Sequence, residues 1–194
     1  VPSPRGIVLE PGFSPAELRR GAEAAGFPLF VKPVRAGSSF GVSRVEGPEQ
    51  LDGAVRAALA YDRRVLLEEA VSGFEVGCAV LTVGLVDEIQ LSGGFFDFEE
   101  KYTLKTSAIH CPARIPPEAA ARVQEAARTI FRALDCRGFA RVDLFLTPEG
   151  ALLFNEVNTI PDFTPHSRYP TMMQGAGLDF TSLVSRMIRL GVGA

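Results

Sequence analysis

Apolar and polar positions switch repeatedly along this chain between a helical and a strand period, and the switches mark its elements. Ser14-Pro15-Ala16-Glu17 has the form of a capping box with proline at the first helical position, predicting a helix to about Ala25 that Gly26 ends. Pro28–Val34 (P-L-F-V-K-P-V) reads as a buried strand, with a second strand over Val42–Glu46. Leu51, Val55, Ala58 and Leu59 recur at helical spacing after Pro48, predicting a helix over 48–61. Val65–Ala70 and Phe74–Val83 read as strands, and Val86–Leu91 continues their sheet. Residues 93–108 are long, mixed in charge, aromatic and without a period, the profile of a lid loop. Pro116-Pro117-Glu118 opens an amphipathic helix through Leu134, and two short helices, about Pro170–Gly175 and Phe180–Leu190, close the chain. Val1–Phe13, rich in Pro and Gly, reads as irregular. The pattern predicts an α/β (α+β) fold of two subdomains, residues 1–70 and 71–194.

The stretch Arg141–Asn158 (R-V-D-L-F-L-T-P-E-G-A-L-L-F-N-E-V-N) predicts a hairpin around Pro148-Glu149-Gly150. Alternation puts Arg141, Asp143 and Phe145 on one face with Leu152, Phe154, Glu156 and Asn158, and Val142, Leu144, Leu146, Leu153 and Val157 on the other. A turn centred on Pro148-Glu149 would set Arg141 opposite Glu156, with Asp143 diagonal to it. Carboxylates on a sheet need a compensating cation, and oxygen donors without His or Cys suit Mg²⁺ or Mn²⁺ rather than zinc. An Arg–carboxylate salt bridge is the plainer alternative.

Composition narrows the partners. The net charge of −3 over 194 residues argues against a nucleic-acid binder, and no apolar run reaches membrane-spanning length. Cys78, Cys111 and Cys136 lack metal-ligand spacing and sit in apolar contexts, so structural thiols in a reducing, cytoplasmic setting are expected. His110, in an apolar strand, reads as a core residue. The chain opens without Met, as a fragment or a processed form would.

A lone Lys32 in an apolar strand is costly without an anionic partner, in the protein or in a ligand. Just after it, Gly37 and Gly41 bracket Ser38 and Ser39 in a loop whose donors suit phosphate oxygens; it is neither a Walker A loop nor a Rossmann fingerprint. Glu68 and Glu75 stand near strand ends, where a carboxylate can accept a ribose hydroxyl or an amino group. A strand lysine, a Gly-Ser loop, a charged lid and a Mg²⁺-type face are the parts that hold a nucleoside triphosphate and transfer its terminal phosphoryl group.

F-V-K-P-V-R-A-G-S-S-F-G-V-S-R-V, E-E-A-V-S-G-F-E-V, F-D-F-E-E-K-Y, G-F-A-R-V-D-L-F and F-N-E-V-N-T-I-P-x-F-T-x-H-S-R-Y-P, in this order, resemble the D-alanine–D-alanine ligases of the ATP-grasp superfamily. N-E-V-N-T-I-P with S-R-Y-P is closer to the vancomycin-resistance ligases that make D-Ala–D-lactate or D-Ala–D-serine. The resemblance implies an ATP-grasp fold with the nucleotide between two α/β subdomains. It implies that Lys32 binds the ATP phosphates beneath the loop, that Glu68, Glu75, Phe154 and Asn155 contact the nucleotide, and that Lys101 on the lid reaches the γ-phosphate. Tyr102 and Ser38 would orient the first D-alanine; Asp143, Glu156 and Asn158 would hold two Mg²⁺ (or Mn²⁺) ions; Arg141 and the backbone near Asp162 would stabilise the tetrahedral intermediate; Ser167, beside His166, would hold the second substrate. The implied reaction forms a D-alanyl phosphate from ATP, which the amine of a second D-amino acid attacks; Tyr102 favours D-alanine or D-serine over D-lactate.

Two departures stand out. The family carries a further N-terminal domain with no counterpart in this sequence, and Asp162 replaces the glycine of N-T-x-P-G. A Mg·ATP-binding module inactive on its own is therefore the competing reading, and a metal-dependent hydrolase using Asp143 and Glu156 a more distant one. The resemblance further implies a homodimer when the enzyme is complete, with neither nucleic acid nor membrane as partner.

Overall fold

A computed structural model describes residues 1–81, 83–91, 107–164 and 167–193. Lys101 and Tyr102, most of the expected lid, and His166 lie outside the described residues. The described chain divides into two compact units.

The first unit takes in Pro4–Val71. Its strands are β1 (Gly6–Leu9), β2 (Leu29–Pro33), β3 (Ser43–Val45) and β4 (Val65–Glu69), in the antiparallel order β1-β4-β2-β3. Helix α1 (Pro15–Ala25) begins at the expected capping box: Glu17 N–H donates to Ser14 Oγ at 3.2 Å, and Ser14 N–H to Glu17 Oε2 at 2.7 Å. Its helical partner is α2 (Leu51–Leu59), preceded by a 3-10 turn at Pro48–Gln50. Both helices lie on one face of the sheet, where Leu18, Ala22, Val55 and Ala58 close over Leu29, Val31, Val65 and Leu67. Each large aliphatic side chain buried there contributes about 1.5–3 kcal/mol.

Residues 1–13 are not wholly irregular as their composition predicts, because Gly6–Leu9 adds to the edge of the sheet against Val65–Glu68. Four residues are too few to show a period; β4 supplies the hydrogen bonds that make them a strand.

A carboxylate clamp ties the Gly-Ser loop to the end of α2. Asp62 accepts the Arg35 backbone N–H at 2.8 Å and the Arg35 side chain at 2.9 and 3.1 Å, and is itself buried. The Arg35 side chain, by its hydrogen bond, holds the Asp62 carboxyl well below the usual carboxylate range against the opposing effect of burial. A carboxyl whose pKa is depressed by folding stabilises the fold above its unfolded value, about 4, and loses that contribution as pH falls. Asp62→Asn should therefore be less stable than wild type at pH 7, with the gap narrowing below about pH 4; urea unfolding at both pH values measures it, and a gap that holds at low pH would remove Asp62 as the titrating group.

The second unit takes in Val1–Ser3, Ser72–Gln90 and the chain from Ala108 onward. Its strands are β5 (Phe74–Val80), β6 (Val83–Leu91), β7 (Ser107–His110), β8 (Ala140–Leu146) and β9 (Leu152–Asn158), in the order β7-β6-β5-β8-β9. Helix α3 (Pro117–Ala133) covers one face, packing Val123, Ala127 and Ile130 on Val76, Cys78, Val142 and Leu144. The other face meets α4 (Arg168–Gly175), where Ala79 packs against Tyr169, Met172 and Met173, all fully buried, and α4 rests on α5 (Phe180–Val192). His110 is not a core residue: it is half-buried on the edge strand, its Nε2 at 2.9 Å from Gln90 Oε1.

Candidate functional site

In the first unit the strand lysine finds an anionic partner inside the protein. Lys32 and Glu68 form a salt bridge across β2 and β4, with 21% and 11% of their side chains exposed. They lie on the sheet face opposite the helices, and the Lys32 ammonium sits 5.7 Å from the centre of the Phe30 ring. The adjoining loop holds Ser38 and Ser39 at φ of 54° and 59°, two successive left-handed residues. Phe40 stacks on Tyr61 at 5.6 Å and pins the loop's far end to the residues after α2.

In the second unit the hairpin forms where expected, but its register differs. Gly150 is a third loop residue: at φ 80° it donates its N–H to Thr147 O at 2.8 Å, and Thr147 then pairs with Ala151. Asn155 is a further inserted residue, a β-bulge between the pairs Leu144↔Phe154 and Asp143↔Glu156. Together these two residues slide β9 by two positions at the site, so Arg141 faces Asn158 and Asp143 faces Glu156 directly. The bulge also exchanges faces below it. Leu152 and Phe154 join Leu144 and Leu146 against α3, while Leu153 faces the other way, opposite Phe145. Phe154 is thus on the core side of the sheet rather than beside Glu156.

The functional face is closely interlocked. Arg141 Nε lies 2.9 Å from both Asp143 oxygens and its Nη2 2.8 Å from Oδ2; Asp143 is fully buried and the Arg141 side chain is 12% exposed. From the start of α4, Arg168 crosses the same face. Its Nε donates to Asp87 Oδ2 at 2.7 Å, its Nη2 reaches Asp87 Oδ1 at 2.8 Å and Asp143 Oδ1 at 3.4 Å, and its Nη1 lies 3.5 Å from Glu75 Oε1. Glu75 also accepts from Asn155 Nδ2 at 3.4 Å. Burial alone would lower the Arg168 pKa; the charges of Asp87, Asp143 and Glu75 outweigh it and hold the guanidinium well above its ordinary value. Glu156 is exposed; among the described residues the face carries four carboxylates, Glu75, Asp87, Asp143 and Glu156, against two guanidiniums, Arg141 and Arg168.

That surplus of negative charge fits a divalent cation. Among the described residues no three His, Cys, Asp or Glu side chains form a metal cage. One or two carboxylates with an amide oxygen, completed by phosphate oxygens, is nonetheless how Mg²⁺ is commonly held. Asp143 and Glu156, directly opposed, with Asn158 two residues along the same face, would hold it. Among the described residues no buried side-chain N or O atom lacks a hydrogen-bond partner.

The chain beyond β9 is fixed by an aromatic cluster in which Phe163 lies 5.9 Å from Phe139 and 5.7 Å from both Tyr169 and Phe180. Asp162 is exposed and outside the left-handed region, which among described non-glycine residues holds Ser38, Ser39 and Asp135. Ser167 is the N-cap residue of α4, but its hydroxyl bonds Thr164 instead, accepting the Thr164 N–H at 3.1 Å with the two Oγ atoms 2.8 Å apart. Burial pushes the Cys78 thiol up to about 12 and the Cys111 thiol up to about 11, so neither is a thiolate nucleophile at neutral pH. Sequence reasoning missed Arg168 and Asp87. Two acids in succession within V-G-L-V-D-E-I-Q-L were the available signal, since a strand buries such residues only when they are paired.

Two antiparallel sheets backed by helices, one carrying a lysine beside a Gly-Ser loop and the other an Arg–carboxylate face, make this an ATP-grasp fold of mixed α/β class. The chain belongs to the D-alanine–D-alanine ligase family: residues 13–189 match the family model described as D-ala D-ala ligase C-terminus. It is 48% identical over 176 residues to the Vancomycin B-type resistance protein VanB of Enterococcus faecalis, covering 86% of this chain and 52% of that protein. Among solved structures, the VanG D-Ala:D-Ser ligase from Enterococcus faecalis superposes with a TM-score of 0.90 at 52% identity, over 98% of this chain and 57% of that one. The D-alanine-D-alanine ligase from Coxiella burnetii gives 0.85 at 29% identity, over 100% and 53%. The chain spans about half the length of the curated relatives it matches. Among the described residues no helix is long and apolar enough to cross a membrane.

Proposed function

We propose that this chain is the nucleotide- and metal-binding part of an ATP-dependent ligase joining D-alanine to a second D-amino acid, D-alanine or D-serine, for peptidoglycan precursors of the glycopeptide-resistance kind. The observation that carries this reading is the direct opposition of Asp143 and Glu156 beside Arg141, in a chain that matches the family over residues 13–189. Bound Mg²⁺ (or Mn²⁺) would neutralise the ATP phosphates as the terminal group transfers. Lys32 holds the phosphates, with Ser38 in the adjoining loop. Glu68, Glu75 and Asn155 serve the nucleotide; Phe154 supports them from the core side. The carboxylate oxygen of D-alanine takes the γ-phosphoryl group and ADP leaves. The second amine then attacks the acyl carbon, Arg141 holds the oxyanion, and the adduct releases phosphate and a proton. Lys101 reaches the γ-phosphate, Tyr102 joins Ser38 in orienting the first D-alanine, the backbone at Asp162 assists Arg141 at the oxyanion, and Ser167, beside His166, holds the second substrate. The 52% identity to a D-Ala:D-Ser ligase supports an amine nucleophile. The complete enzyme is taken to be a cytoplasmic homodimer.

The test is to offer the complete protein Mg·ATP with D-alanine, D-serine and D-lactate together and identify products by mass spectrometry. A D-Ala–D-Ser or D-Ala–D-Ala dipeptide is expected. D-Ala–D-lactate as sole product would overturn the amine assignment, and no ADP release above background would leave a binding module. Glu156→Gln should lower ADP formation at least about 100-fold, since outer-shell partners of metals alone cost up to that much; a wild-type rate would remove Glu156 from the metal site.

A further inference from the structure

Arg168 bridges three strands of this face. It meets Glu75 on β5, Asp87 on β6 and Asp143 on β8, with 11% of its side chain exposed. Its origin is fixed, because the next residue, Tyr169, is fully buried and donates its hydroxyl to Val80 O at 3.2 Å. Its destination is fixed as well, because Asp87 takes Nε and Nη2 in a bidentate pair and itself accepts the Gly77 N–H at 3.0 Å. The register places Asp87 and Asp143 on either side of Gly77, and the missing side chain leaves room for the guanidinium between them.

Neutralising Asp143 does not require this arrangement, since Arg141 already contacts both of its oxygens. Nor is a buried ion cluster a strong source of stability, because desolvation of the charges offsets most of their attraction. What Arg168 adds is geometry: one planar fork sets the spacing of a carboxylate opposite Glu156 and of a second carboxylate on the neighbouring strand.

We propose that Arg168, anchored by Asp87, is a positioning residue that holds Asp143 in the orientation in which it and Glu156 bind a divalent cation. The inference rests on the ligase reading of this face. Asp87 locks the fork, the fork limits rotation of the Asp143 carboxylate, and Glu156 completes the pair from β9. Charge by itself argues the other way, since removing a cation from the site should tighten binding of another.

The experiment measures Mn²⁺ affinity by electron paramagnetic resonance in the complete protein, with a non-hydrolysable ATP analogue, for wild type, R168K and R168M, checking folding by circular dichroism. R168K keeps the charge that neutralises the three carboxylates but not the fork. Both variants are expected to bind Mn²⁺ about tenfold more weakly, the scale of outer-shell losses. Unchanged affinity in R168K, or tighter binding in R168M, overturns the positioning role; should R168M fail to fold, R168K alone decides it. Absence of nucleotide-dependent Mn²⁺ binding in wild type instead overturns the ligase reading of this face, and the positioning role with it.

Discussion

Replacing Asp87 by alanine is expected to lower the unfolding free energy by about 3–5 kcal/mol, the loss seen when one partner of a buried ion pair is removed. Asp87 is fully buried and takes the two shortest bonds that Arg168 makes, at 2.7 and 2.8 Å. Without it the guanidinium would keep, among the described residues, the 3.4 and 3.5 Å approaches to Asp143 and Glu75, and the Gly77 N–H would lose its acceptor. Denaturant unfolding reads this as a lower midpoint at an unchanged slope. Asp87→Asn separates charge from hydrogen bonding, since the amide oxygen can still accept from Gly77. A loss below about 1 kcal/mol, the range of an exposed pair, would mean that the cluster re-forms without Asp87.

The second large effect is expected from Gly77→Ala, and there the sign is informative. In a strand interior alanine is ordinarily more stable than glycine by about 0.5–1 kcal/mol. At Gly77, however, an added Cβ would stand 2.6 Å from Asp87 Oδ1 and 2.8 Å from Asp143 Oδ1, and closer still to Arg168 Nη2. These atoms belong to one buried network and cannot move aside separately. Overpacking of this kind costs about 1–3 kcal/mol, so the substitution should destabilise and should weaken nucleotide-dependent Mn²⁺ binding with it. A stabilised Gly77→Ala protein would show that the guanidinium does not lie over this strand.

Local patterns made much of the molecule legible. The capping box at Ser14, the break at Gly26, the amphipathic run over Pro117–Ala133 and the Pro-Glu-Gly turn are decided by residues a few positions apart, and each element stands where its pattern puts it. So does the chemistry of single residues: a lysine in an apolar strand needed an anion, and Glu68 is there. The pattern failed where one residue more or less mattered. Alternation cannot register that Gly150 lengthens the turn or that Asn155 bulges, yet these two decide that Asp143 rather than Arg141 faces Glu156. The same insertions carry Phe154 to the core side.

What the sequence determined by itself is most of the elements after residue 13 and the kinds of side chain gathered in its motifs, because these depend on short-range sterics, spacing and residue chemistry; β1 formed only through its pairing with β4. What only the tertiary structure decided is which of those side chains meet. Arg168 lies 81 positions from Asp87 and 93 from Glu75 along the chain, and they come together through strand order, the helix that Tyr169 anchors and the space at Gly77. Ion pairing acts over a few ångströms in space and not along the sequence, so the partners of a buried charge are settled only once the sheet is assembled.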